Sequence, residues 1–226
     1  MEFNKYFDHT LLKADARESQ IAALCSQAAA YGFASVCVNS CYVPLCVSLL
    51  KDTAVKVASV VGFPLGAMST DGKLAETDYA ISCGAAEIDT VINVGHLKDG
   101  KDDEIVEELK ALSSLCHEKG AILKVIIETC LLSDEEKITA CRLVTESGAD
   151  FIKTSTGFST GGATVSDIKL LRANVGEHVK IKASGGIRTL DDTLKFIDAG
   201  ADRLGCSASI SIMKEYLKDR ESLRKR

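Results

Sequence analysis

Two hydrophobic rhythms take turns along this chain. Short, nearly continuous apolar runs alternate with longer stretches in which apolar residues return every three or four positions. The passage from the second rhythm to the first recurs in one form: Gly32-Phe33-Ala34-Ser35-Val36, Gly84-Ala85-Ala86-Glu87-Ile88, Gly120-Ala121-Ile122-Leu123, Gly148-Ala149-Asp150-Phe151-Ile152 and Gly200-Ala201-Asp202-Arg203-Leu204. In each, a glycine stands where a helix would be capped and a β-prone run follows. Eight runs read as strands, at 5–10, 35–39, 56–62, 86–93, 122–129, 151–156, 180–185 and 202–206. Between them lie amphipathic helices. In one, Ile105, Val106, Leu109, Leu112 and Leu115 fall on a helical period; another opens on a capping box of Ser133 and Glu136. Helix, glycine and strand in repetition is the layout of βα units around a parallel sheet. The pattern predicts an α/β fold, a single-domain (β/α)8 TIM barrel over residues 1–226, in preference to an open doubly wound sheet. No glycine-rich nucleotide fingerprint interrupts it.

Composition narrows the function. With 226 residues, 46% apolar content, only two prolines, no tryptophan and 5% aromatics, the core is one of small aliphatic side chains. A net charge of −5 and a pI near 5.5 argue against a nucleic-acid or anionic-membrane surface. There is no secretion signal at Met1-Glu2-Phe3-Asn4-Lys5 and no apolar run long enough to span a membrane. Nine cysteines, an odd number without a C-x-x-C pair, point to a reducing cytoplasm and no disulfide framework. His9, His96, His117 and His178 lie far apart, with no zinc-ligand spacing. The charge-dense tail from Lys214 to Arg226 reads as a solvated last helix with a fraying basic end.

The chemistry concentrates in Phe151-Ile152-Lys153-Thr154-Ser155-Thr156-Gly157. A lysine inside a buried strand needs a carboxylate partner or must give up its charge. Strand alternation puts Lys153 on one face with Phe151 and Ser155, Lys182 with Lys180 and Ser184, Asp89 with Glu87 and Val91, and Lys124 with Glu128. Asp8 and Cys37 fall near the ends of two early strands. An ion-pair network would account for Lys124, with Glu128 or Glu87 as its partner. Lys153 and Lys182 sit on neighbouring strands, where two ammonium groups oppose each other. A free lysine has a pKa near 10.4, so only about one in 10³ is neutral at pH 7, and a fall of roughly three units takes about 4 kcal/mol. Burial and a neighbouring cation supply such a shift and turn an amine into a nucleophile. Ser184-Gly185-Gly186 and Gly205-Cys206-Ser207-Ala208 end the last two strands. That is where barrels bind phosphate.

Taken together, Asp8-His9-Thr10-Leu11-Leu12, Val36-Cys37-Val38-Asn39, Val61-Gly62-Phe63-Pro64-Leu65-Gly66, Glu87-Ile88-Asp89 with Asn93, Leu123 to Thr129, Phe151 to Gly157 and Lys182 to Arg188 resemble the deoxyribose-phosphate aldolase family over nearly the whole chain. The resemblance implies a class I aldolase. It would cleave 2-deoxy-D-ribose 5-phosphate reversibly to acetaldehyde and D-glyceraldehyde 3-phosphate through a lysine Schiff base, in deoxyribonucleoside and deoxyribose phosphate catabolism. It implies no metal and no other cofactor. By motif position Lys153 is the Schiff-base lysine, Lys182 the second lysine that depresses its pKa, and Asp89 the proton donor and acceptor. Asp8 orients Lys182, Cys37 lines the pocket, and Thr156, Gly157, Gly185, Gly186, Gly205 and Ser207 cradle the phosphate. The expected partner is a small phosphosugar, with no nucleic acid and no membrane; a homodimer or higher homo-oligomer is compatible with the sequence.

Three positions depart from the family pattern. Ser40 and Cys41 follow Asn39 where many members have proline. Ala208 replaces the second of two adjacent serines, which would weaken phosphate binding or shift a contact to Ser209. The chain ends Arg224-Lys225-Arg226 without a terminal tyrosine, Tyr216 standing ten residues earlier. Exposed thiolates react with oxidants and aldehydes, so Cys37 and Cys41 would make the enzyme sensitive to both. Other readings compete. A different Schiff-base barrel enzyme keeps Lys153 but changes the substrate. A silent phosphosugar-binding barrel would have lost a lysine or Asp89, and none is lost. A structural or regulatory protein leaves two lysines at neighbouring strand ends without an account.

Overall fold

The computed structural model describes residues 2–224 of the chain. Strands and helices alternate: β1 (Phe7–Thr10), α1 (Glu18–Tyr31), β2 (Ser35–Val38), α2 (Val43–Leu50), β3 (Lys56–Val61), α3 (Thr70–Ser82), β4 (Glu87–Val91), α4 (Val94–Lys98) and α5 (Asp102–Glu118). β5 (Ile122–Ile126), α6 (Asp134–Glu146), β6 (Phe151–Lys153), α7 (Val165–Asn174), β7 (Lys180–Ser184), α8 (Leu190–Asp198), β8 (Arg203–Cys206) and α9 (Ser209–Arg224) complete the order. All strand pairs are parallel and β8 closes on β1, giving a closed eight-stranded barrel inside a ring of helices.

All five repeat glycines take left-handed backbone, with φ from 62° to 110°, so each turns the chain from helix into strand. The capping box at Ser133 and Glu136 opens α6 as the sequence predicts. Three strands end two or three residues earlier than predicted: β4 at Val91, β5 at Ile126 and β6 at Lys153. The residues just beyond them belong to loops that build the open end of the barrel. β1 starts at Phe7, because Phe3–Tyr6 form a 3-10 turn across the barrel base. In α5 the core side is Ile105, Val106, Leu109, Leu112 and Cys116, while Leu115 is only half-buried.

The main apolar core lies between strands and helices, filled by the outward residues of each strand, such as Val36, Ile88, Leu123, Ile152, Ile181 and Leu204. The inward residues line the lumen. A buried ion pair braces the β4 end of it. Lys73 on α3, fully enclosed, bonds Glu108 on α5 at 2.5 Å and the Val91 carbonyl at 2.9 Å, two residues beyond Asp89.

Candidate active site

The lumen holds a continuous charged cluster. Asp89 Oδ1 accepts from Lys124 at 2.7 Å, and its Oδ2 accepts from both Lys153 (2.8 Å) and Lys182 (2.7 Å). Asp8 pairs with Lys182 through Oδ2 and with Arg203 through Oδ1 at 2.6 Å. Glu87 joins Lys124 (2.7 Å) to Arg203 (3.1 Å). Register explains the meeting: Asp89 sits beside Lys124, Lys153 beside Lys182, and Lys182 beside Arg203 on successive strands. Lys153 and Lys182 therefore come together as their spacing predicts, with Asp89 and Asp8 between and behind them.

Charge does not balance in this cluster. Four bases (Lys124, Lys153, Lys182, Arg203) share three carboxylates (Asp8, Glu87, Asp89). Enclosed charges without a partner are expensive, so one base is the candidate to go neutral. Lys153 is that base. Burial pushes its pKa below the ordinary lysine value, Asp89 pulls it up, and Lys182 pushes it down again. Burial works on Lys182 and Lys124 in the same way, but Asp8 and Asp89 outweigh it at Lys182, and Asp89 and Glu87 at Lys124, so both lie above the ordinary value. Burial raises Asp89 and Asp8, yet the surrounding cations hold both below the usual carboxylate range.

Lys153 is also the one lumen base that reaches the open cavity above the strands, a space of about 420 Å³. The loops after β1, β6, β7 and β8 form its walls and bring in Thr156, Gly157, Gly185, Gly186 and Ser207, and Gly205 lines it from the end of β8. No protein acceptor among the described residues takes the N–H of Gly157, Gly185, Gly186 or Ser207. Unpaired backbone donors beside the start of α9 are what an anion requires. Lys13 and Arg188 line the same cavity, both exposed, and neither side chain has an ion pair among the described residues.

Several sequence-based expectations change. Lys124 pairs with Glu87 and Asp89, not with Glu128, whose carboxylate takes the N–H and hydroxyl of Thr156 instead. Gly205 lines the cavity, but its lack of a side chain serves Lys182: a Cβ there would lie 3.0 Å from Lys182 Cε. Ser209 is fully enclosed, with its hydroxyl 2.6 Å from His9 Nδ1, so it does not replace the hydroxyl absent at Ala208. Tyr216 stacks on Phe3 at 4.0 Å, at the barrel base and away from the cavity; Lys225 and Arg226 lie outside the described residues. Ser40 bonds Glu76 at 3.0 Å, and Glu76 also accepts the Gly62 N–H, so this departure ties the β2 loop to α3. Cys37 is enclosed in the lumen, where burial and then Asp89 hold its thiol above the ordinary value; that opposes thiolate reactivity at Cys37, whereas Cys41 is exposed.

Sequence reasoning missed Arg203, Lys13 and Arg188. Arg203 was recoverable, because it alternates with Gly205 on β8 and must face inward. Lys13 stands one residue past a recognised motif and Arg188 is the last residue of another, with nothing in their own pattern to mark them as cavity cations.

Comparison with known proteins agrees with this geometry. A family model described as DeoC/LacD family aldolase matches residues 3–212. The deoxyribose-phosphate aldolase of Alkaliphilus oremlandii is 57% identical over 215 residues, 95% of this chain and 96% of that protein. A solved structure titled "QR15, an Aldolase" superposes with a TM-score of 0.94 at 41% identity, covering 99% of both chains. The tetrameric deoxyribose phosphate aldolase of Aeropyrum pernix gives 0.89 at 30% identity, over 95% of this chain and 90% of that one. A closed parallel barrel, an enclosed lysine pair on one aspartate, and likeness along nearly the whole length place this chain in the DeoC/LacD aldolase family.

Proposed function

We propose that the chain, acting over residues 1–226 as one aldolase domain, cleaves 2-deoxy-D-ribose 5-phosphate reversibly into acetaldehyde and D-glyceraldehyde 3-phosphate, with Lys153 as the Schiff-base lysine. One observation carries the assignment. Lys153 is the base in surplus over the lumen carboxylates, and it alone among those bases opens onto the cavity. The two carboxylates of Lys182 keep it charged, which argues against it as the nucleophile. It serves as the fixed cation beside the reacting amine.

The neutral amine of Lys153 adds to C1 of the open-chain sugar and, with loss of water, forms an iminium. The C2–C3 bond breaks as the C3 hydroxyl gives up its proton. The bonding pair moves onto the iminium, leaving an enamine of acetaldehyde and releasing glyceraldehyde 3-phosphate. Protonation of the enamine carbon and hydrolysis then free acetaldehyde and the lysine. Asp89 is the proton carrier, through water. In the resting cluster the ammonium groups of Lys124 and Lys182, with an N–H of Lys153, hold it as a carboxylate. Conversion of Lys153 to an imine removes N–H donors from Oδ2 and frees that oxygen to take a proton. The unpaired N–H groups of Gly157, Gly185, Gly186 and Ser207, with Lys13 and Arg188, hold the 5-phosphate and place C1 at the amine, so remote binding energy supports the chemistry. Thr156 and Gly205 shape that cradle from behind; Cys37 does not line the cavity but lies deeper in the lumen, in the apolar cluster with Leu12, Ala58 and Val60. The likeness to the Aeropyrum pernix tetramer supports a homo-oligomer.

The test is borohydride trapping with acetaldehyde followed by peptide mapping. An N-ethyl group on Lys153 is the expected result. A mark on Lys182 or Lys124 would move the nucleophile, and folded protein with no mark would turn the assignment towards a silent phosphosugar-binding barrel.

A further inference from the structure

Glu128 is the one non-glycine with positive φ among the described residues, at φ 53° and ψ 65°. A residue bearing a Cβ persists in left-handed backbone only where its surroundings over-determine it. Those surroundings form a bulge. Just past β5, Ile127 donates its N–H to the Lys153 carbonyl (3.0 Å), and Thr129 donates to the Thr154 carbonyl (2.9 Å). Two residues on one side advance against one on the other, and Glu128 is the extra residue.

The bulge takes the Glu128 side chain out of the lumen alternation and aims it at the next loop. The carboxylate is enclosed, only 3% exposed, and makes no ion pair among the described residues. Instead Oε1 accepts the Thr156 N–H at 3.2 Å, and Oε2 accepts the Thr156 hydroxyl. The Thr156 oxygen accepts the Phe158 N–H at 3.0 Å in turn. A buried carboxylate without a counter-ion persists only where hydrogen bonds hold it. Strain and burial thus converge on one short loop, 154–158. It begins directly after Lys153, the last residue of a strand only three residues long, and it carries Gly157 to the cavity wall.

We propose that Glu128 is a positioning residue for the reacting lysine. Its backbone pins the Lys153 carbonyl through Ile127, its carboxylate clasps Thr156, and the two together fix the end of β6 from which the ε-amine projects. Both donors of Thr156 are committed to this clasp, so Thr156 acts on the site through Glu128. The inference rests on Lys153 being the nucleophile.

Acetaldehyde carries no phosphate, so its trapping rate on Lys153 reports the lysine without the phosphate cradle. Glu128→Gly removes the carboxylate while taking the left-handed backbone without strain. Glu128→Gln keeps one acceptor oxygen, and Thr156→Val removes the clasped hydroxyl. Expected for Glu128→Gly are losses of tenfold or more in trapping rate and in kcat, with KM for deoxyribose 5-phosphate within threefold. Glu128→Gln should lose less, and adding Thr156→Val to Glu128→Gly should cost no more than the worse single change. The inference is overturned if trapping by Glu128→Gly stays within twofold of wild type, if only KM moves, or if the two changes multiply. Should Glu128→Gly not fold, Glu128→Gln with wild-type trapping overturns it equally. Wild-type trapping on a residue other than Lys153 overturns the nucleophile assignment. Trapping on Lys153 with undiminished variants overturns the role of Glu128 alone.

Discussion

The lumen of this barrel has two walls of identical strand geometry and opposite chemistry. β2 and β3 turn Cys37, Ala58 and Val60 inward, and Leu12 and Phe63 close over them as a small apolar cluster. The wall from β4 round to β1 turns in Glu87, Asp89, Lys124, Lys153, Lys182, Arg203 and Asp8, which pair as one network. The difference shows how a surplus base is made. The apolar wall offers no carboxylate, so the charged wall has to satisfy its bases alone and falls one short. It also keeps the lumen desolvated, which is the first cause of the lowered pKa of Lys153. Buried ion pairs are not by themselves a source of stability. Here their imbalance is the useful property.

The most direct way to break the contrast is to give the apolar wall a carboxylate. Cys37 is enclosed, close in size to aspartate, and feels the fields of Asp89, Lys182 and Lys153. In Cys37→Asp the acids equal the bases and Lys153 keeps its proton. An added negative charge a few ångström away raises the lysine pKa, so the neutral fraction at pH 7 falls and turnover drops on the order of 10²-fold. The pH dependence of acetaldehyde trapping checks this, with the acidic limb moving to higher pH. An unmoved limb would mean that the chemistry of the apolar wall does not set the state of Lys153.

A smaller change sharpens the contrast from the charged side. Lys182→Met removes the cation that shares Asp89 Oδ2 with Lys153. Lys153 then loses a repelling neighbour and has Asp89 Oδ2 to itself. Both effects raise its pKa and move the acidic limb of the trapping profile upward, with about a tenfold loss at pH 7. Lys182→Met removes a repelling cation without adding a carboxylate beside the amine, so the shift should be smaller than in Cys37→Asp. An equal or larger shift would reverse that order and make like-charge repulsion the main device.

The strands of both walls were legible in the sequence: five follow a repeat glycine, and β1, β3 and β7 were read from their own β-prone runs. Alternation also predicted that Asp89, Lys153 and Lys182 share the lumen. It failed at Glu128, where a single left-handed residue inserts a bulge and changes the face of everything after it. No composition or period announces that conformation in a residue other than glycine. Of the two partners offered for Lys124, Glu87 holds and Glu128 does not, since Glu128 counts as inward only if the strand runs on unbroken. The cavity cations Lys13 and Arg188 lie on loops, where alternation has no meaning and only three-dimensional placement reveals them.

Arg203 offers the mildest test for catalysis, at the base of the charged wall. It does not line the cavity; it holds Asp8 Oδ1 at 2.6 Å and Glu87 Oε1 at 3.1 Å. In Arg203→Met two enclosed carboxylates each lose a partner, at a cost of about 3 kcal/mol, which lowers Tm by roughly 6–12 °C in a chain of this size. Arg203→Lys should recover little of this, because one ammonium does not span both acids as the guanidinium fork does. The response to acid carries a sign. Burial raises Asp8, but Lys182, Arg203 and Lys124 together hold it below its unfolded value. Its stabilising contribution is therefore full above the unfolded carboxylate pKa and is lost as pH falls through the folded one. Without Arg203 the folded pKa rises towards the unfolded value, so acid unfolding of Arg203→Met should begin at a higher pH than in the wild type, with kcat/KM at pH 7 reduced less than tenfold. An unchanged acid midpoint would leave Lys182 as the cation that holds Asp8. A loss of activity far beyond tenfold would show that the base of the network transmits directly to the amine at its top.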